Sequence, residues 1–255
     1  MKTNIYFLAA GLFTALVLLL IVAILSGLRY ALNRSDWPVT RRQTVFWLTA
    51  VVILSWLGLL AFLAQQHFFA QFNIMPPRFA FAVLPPFLAV AILSNLKRVT
   101  YLLKLLPAAW LVYLQSFRVL MEIILWLLFT AAVIPVQMTF EGLNFDILVG
   151  LTAPLAGYYF FSGNTSLRWG IIWNLAGLGL LSTIVVISIL SAPVPIRVFW
   201  NEPANTVVAY LPFIWLPGFV VPVALALHVF SLQQLRAKAS NKKINTSVVL
   251  PKVRQ

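Results

Sequence analysis

The chain contains no cysteine. That excludes disulfides, thiolate metal sites, covalent c-type haem, iron–sulfur clusters and a thiol nucleophile. Histidine occurs only as His67 and His228, and five acidic residues stand against eighteen Lys and Arg. Charged residues of both signs make up 9% of the 255 residues, whereas a soluble domain carries about 25%. So few charges cannot cover a water-exposed surface of that size. No HExxH, P-loop or Gly-x-Ser-x-Gly pattern is present, and no cofactor or metal is expected.

Apolar residues are abundant, at 62% with a mean hydropathy of +0.96. Seven runs reach or approach the roughly 20 apolar residues that cross a bilayer. They are 5–28, 44–66, 79–95, 107–134, 146–161, 170–190 and 212–235. The first is longer than the about 7–15-residue core of a signal peptide, so it is expected to be retained. The expected fold class is all-α: a polytopic integral membrane protein with a seven-helix bundle over 1–235 and a basic tail over 236–255.

Lys and Arg accumulate in cytoplasmic loops. With the amino terminus outside and the carboxy terminus cytoplasmic, the inner segments hold fourteen basic residues. These are Arg29, Arg34, Arg41 and Arg42; Lys97, Arg98 and Lys104; Arg168; and Arg236, Lys238, Lys242, Lys243, Lys252 and Arg254. The outer segments hold only Lys2, Arg78 and Arg197. The net charge of +13 is therefore a topology signal. It points to anionic lipid headgroups at the inner face, not to nucleic acid. Trp37, Trp47, Trp110, Trp169 and Trp173 fall near the inner interface, and Trp200 and Trp215 near the outer one. Sequons beginning at Asn33, Asn164 and Asn245 all lie on the expected inner side. The expected location is a cell membrane of the bacterial inner-membrane kind.

Within the fourth run, Gln115, Arg118 and Glu122 share one helix face. At 1.5 Å per residue from Pro107, Arg118 lies about 16 Å deep and Glu122 about 22 Å deep. A lone charge there costs at least about 2.5–3.5 kcal/mol, and pairing at i and i+4 lowers that cost. The pair is either a transport site or a structural ion pair. His228, Asn174 and Tyr158 fall in the inner half of their runs and could join it in one polar core. His228 then serves as a proton shuttle or as a hydrogen-bonding core residue. On the outer side lie His67, Arg78, Glu141, Asn144, Asp146, Arg197 and Glu202. Glu141, Asn144 and Asp146 suit a hard cation, or Asn144 or Asp146 caps the fifth helix. Pro85, Pro86, Pro154, Pro217 and Pro222 interrupt three runs. Each removes a backbone hydrogen bond whose carbonyl then needs a partner inside the protein. Gly11 with Ala15, and Ala153 with Gly157, stand four apart, the spacing of close helix contacts.

Seven spans with an outside amino terminus resemble the layout of microbial rhodopsins. Those need a Lys in the last helix to hold retinal, and Pro212–Leu235 contains none, so retinal is not expected. The three-one-three arrangement resembles the small sugar-exporting seven-helix transporters, but their Pro-Gln dipeptide is absent, with Pro135–Val136–Gln137 the nearest approach. Exosortase-type transpeptidases need the missing Cys. The first functional expectation is a non-enzymatic membrane subunit or accessory protein of a cell-envelope complex, with a membrane-protein partner. The second is a small transporter or channel for an anionic or proton-coupled solute. The third is an intramembrane lipid-modifying enzyme.

Overall fold

The computed structural model describes residues 1–72, 74, 77–161 and 167–249, with side chains through Ala239. Pro76, the sequons at Asn164 and Asn245, and the tail residues Lys242, Lys243, Lys252 and Arg254 lie outside the residues or side chains described.

The described residues form helices joined by turns and loops, with no strand. Helix α1 spans Lys2–Asn33 and α2 spans Val39–Gln65. The chain continues through α3 (Ala80–Asn95), α4 (Lys97–Lys104), α5 (Ala108–Leu114) and α6 (Phe117–Thr130). Helix α7 (Ile147–Ala156) runs into a π-turn at Gly157–Phe161. Helix α8 is Leu167–Leu190, and α9 (Val221–Val249) follows a π-turn at Leu216–Val220. Five helices are long and apolar enough to cross a membrane: α1, α2, α5 with α6, α8, and the stretch Leu216–Ala239. Counting α3 with α4 as one span makes six, and Ile147–Phe161 is a shorter apolar helix. Much of the outward surface of α1 and α2 is aliphatic, with Leu18, Leu19, Val22, Val51, Val52 and Leu54 exposed. A water-soluble protein does not leave such a surface bare, so this is a multi-pass membrane protein.

Helix α4 was not expected. The chain turns by 75° at Leu96, and α4 sets Leu103 inward while Lys97, Arg98 and Lys104 stay exposed. With one apolar and one charged face, α4 is amphipathic. The turn between α1 and α2 rests on it, with Trp37 stacked on Tyr101 and Tyr101 bonded to Asp36 at 3.1 Å.

The main core joins α1, α6, α8 and α9 through Phe13, Leu20, Ile124, Leu128, Leu181 and Leu227. Ala153 is buried, and Gly157 sits against the ring of Tyr113, bringing α7 onto α5. Gly11 and Ala15 face outward instead, and a Cβ on Gly11 would meet nothing. The prolines in α3 leave the helix continuous. Pro222 has no N–H to give the carbonyl of Gly218. Trp56 of α2 supplies that donor, with Nε1 at 2.8 Å from the Gly218 oxygen.

Candidate functional site

The fourth run is not one regular helix. Between α5 and α6 the amides of Gln115, Ser116, Arg118 and Val119 each bond three residues back. That tightens the backbone into a 3₁₀ stretch, a mid-helix feature that marks a hinge or a strained site. Arg118 lies within this stretch.

The chain after α6 folds back into the bundle. Thr130 lies eight residues beyond Glu122, about 12 Å along the axis, yet Asn144 and Asp146 return to the level of Glu122 and Arg118. The reversal begins at Ala132, which adopts a left-handed backbone at φ 58. It continues through a 3₁₀ turn at Val136–Met138. Helix α7 therefore starts deep and is short. It approaches α6 closely because Gly150 has no side chain: a Cβ there would lie 2.7 Å from the amide nitrogen of Val119.

Arg118, 1% exposed, is the hub. Its partner is Asp146, not Glu122. Nε donates to Asp146 Oδ2 at 2.6 Å and Nη2 donates to Oδ1, the two-pronged geometry that makes Arg–carboxylate pairs strong. A carboxylate on the same helix one turn away cannot meet the guanidinium fork as squarely as one arriving from a neighbouring segment. Glu122 is 2% exposed and accepts Nδ2 of Asn144 on both oxygens at 2.7 Å. Among the described residues the ion pairs are Arg118–Asp146 and Arg197–Glu202, so Glu122 has no cation at pairing distance.

The third guanidinium nitrogen, Nη1, lies 3.0 Å from Nε2 of His228. Arginine only donates, which assigns Nε2 as the acceptor and puts the ring hydrogen on Nδ1. That nitrogen donates to Asn174 Oδ1 at 3.0 Å. Asn174 Nδ2 in turn donates to the Gly170 carbonyl and to Ser231 Oγ. Gly177 makes room for the imidazole, since a Cβ there would collide with it. The network thus runs Ser231–Asn174–His228–Arg118–Asp146–Asn144–Glu122, the Asp146 amide donating to Asn144 Oδ1 at 3.1 Å. Gln115 lies beside it, with Nε2 on the Ala224 carbonyl at 3.2 Å and Oε1 buried without a partner.

Five of the six residues expected in the polar core are buried: Gln115, Arg118, Glu122, Asn174 and His228. Tyr158 is not; it is 66% exposed, on the outward stripe of α7 that also carries Leu151, Pro154 and Leu155. The outer group is scattered. Asp146 makes no side-chain cap, its carboxylate being taken by Arg118, and Asn144 instead holds the Asp146 amide. Glu141 is exposed and accepts Trp126 Nε1 at 2.7 Å. No cluster of three His, Cys, Asp or Glu that could hold a metal exists among the described residues. His67 is in a left-handed conformation beside Tyr210, and Arg78 lies over the ring of Phe68. Arg197 bonds Glu202 at 3.0 Å, which holds that exposed carboxyl below the usual carboxylate range.

Sequence reasoning missed Gln137, Ser191, Ser188 and Asn205. Buried Gln137 links Ser191 to Asn201. Asn205 is 1% exposed and donates Nδ2 to the Ser188 carbonyl at 3.0 Å. A carbonyl only accepts, so the amide orientation is fixed, and Asn205 Oδ1 is buried without a partner. Asn205 and Ser188 line one end of a largely apolar cleft of about 100 Å³. The cleft lies between α3 (Val83, Phe87) and α8 (Leu181, Val185) and ends at Arg118, Glu122 and Asp146.

The chain matches no protein-family model, no curated protein and no solved structure.

Proposed function

We propose that this is a non-enzymatic, seven-span subunit or accessory protein of a cell-envelope complex, with its amino terminus outside and its tail in the cytoplasm. The observation that carries the non-enzymatic part is the engagement of the polar network. All three nitrogens of Arg118, both nitrogens of His228 and both oxygens of Asp146 and Glu122 have protein partners. A general acid or base must reach a reacting group directly or through one water. Here those positions are taken by neighbouring side chains.

The same engagement speaks against an anion transporter, because the charge of Arg118 is already met by Asp146. Seven spans follow if α3 with α4 is one and Ile147–Phe161 is another, its shortness compensated by the infolded loop before it. The split of basic residues supports the orientation. Two outer connections support the subunit reading, since they present Phe140, Leu143, Phe145, Ile196, Val198 and Trp200 outward.

Reconstitution tests this reading. The isolated chain in liposomes should carry neither protons nor anions above the protein-free background. In native membranes it should migrate with a membrane-protein partner in fixed proportion. Flux by the isolated chain that disappears in Glu122→Gln would overturn the proposal.

A further inference from the structure

The cleft between α3 and α8 is built for an occupant. It runs along α8 from Leu181 to Ile189, eight residues or about 12 Å, reaches Ala192 just beyond the helix end, and is a narrow slot of about 100 Å³. Its walls are aliphatic and aromatic: Phe72, Phe79, Val83 and Phe87 on one side, Ile184 and Val185 on the other. Helix α3 packs on α9 and the Leu216–Val220 turn, while α8 packs on α9 separately. Val83, Phe87, Ile184 and Val185 are only half-buried. In a membrane protein such a slot meets acyl chains, not water.

The two ends differ. At the deep end the polar atoms of Arg118, Asp146 and Glu122 already have protein partners, so that end offers a stop rather than a head site. The other end lies at the terminus of α8, where the Asn205 amide bonds the Ser191 carbonyl at 2.9 Å. There Asn205 Oδ1 is a buried acceptor with no donor. Leaving such a group unpaired costs about 1–3 kcal/mol, and buried polar groups normally have a partner.

We propose that the cleft holds one aliphatic chain of a lipid whose head donates a hydrogen bond, from a hydroxyl or ammonium, to Asn205 Oδ1. The chain lies inward along Val83, Phe87, Ile184 and Val185. The head stays at the end of α8, at the depth where lipid headgroups sit. The inference uses the membrane reading of the helices but not the subunit role.

The test compares two probes with the same chain, monooleoylglycerol, which has hydroxyl donors, and methyl oleate, which has none. Each displaces a fluorescent monoacylglycerol from the full-length protein in detergent. The native protein should favour monooleoylglycerol by about tenfold, as expected when a buried acceptor is left without its donor. Asn205→Leu should erase that preference while keeping chain binding, and Val83→Trp should abolish both. Val185→Trp, from the opposite wall, repeats the block if Val83→Trp lowers the melting temperature. Equal affinity for the two probes in the native protein overturns the head assignment. Binding that survives either tryptophan overturns the cleft, as does absence of binding to folded protein. Those results leave the flux and co-migration tests of the subunit reading untouched.

Discussion

Replacing Asp146 with leucine strips the guanidinium of Arg118 of its carboxylate and leaves it buried with only His228. Two charge-assisted hydrogen bonds are lost, each contributing about 1.5–3 kcal/mol. Removing one partner of a buried ion pair costs about 3–5 kcal/mol. Polar contacts in a bilayer average less, because the unfolded helices also find partners there, so a loss of about 3 kcal/mol is expected. The double variant Arg118→Met, Asp146→Leu removes both charges together. Apolar replacement of a whole buried pair is often neutral; here His228 Nε2 also loses its donor, about 1 kcal/mol. The double variant should therefore be more stable than Asp146→Leu alone, by about 2 kcal/mol. Unfolding in mixed micelles, followed by tryptophan fluorescence, measures all four corners of the cycle. Additive losses from the two single variants would falsify the pairing.

Three further outcomes follow from the same geometry. Gly177→Ala pushes a methyl into the His228 ring and should destabilise by about 1–3 kcal/mol, as overpacking does, read in the same micelle assay. Gly150→Ala forces α7 away from the backbone of α6 at Val119 and should cost a similar amount; a neutral result would mean that the two helices do not touch there. Trp56→Phe leaves the Gly218 carbonyl above Pro222 without its donor and should cost about 1–3 kcal/mol, whereas Trp47→Phe, on an exposed side chain, should cost little.

The apolar spans could be read from the sequence because lipid imposes a length on them, and Phe79–Asn95 agrees with α3 to one residue. Arg118 and Glu122 stood out because a charge in hydrocarbon is expensive. Their partners did not. Asp146 is 28 residues from Arg118 and Asn144 is 22 from Glu122. The infolding that brings both inward turns on the backbone of Ala132, a residue type that gives no hint of a left-handed conformation. Tyr158 was misplaced because its depth along the run says nothing of its helix face; it continues the exposed stripe of Leu151, Pro154 and Leu155. Helix α4 was hidden by its own charge, since Lys97, Arg98 and Lys104 read as loop until Leu103 is seen to turn inward. Asn205 carries no motif at all. Only its fixed amide and the unpartnered oxygen distinguish it from any other loop asparagine.

The natural absence of cysteine makes single-cysteine labelling with a membrane-impermeant maleimide the most direct measurement of the membrane layout. Asp36→Cys and Lys104→Cys should react only after the membrane is opened, and Glu141→Cys and Glu202→Cys should react in intact cells; all four positions are exposed. Labelling of positions 36 and 202 from the same side would contradict the arrangement of spans on which both proposals stand.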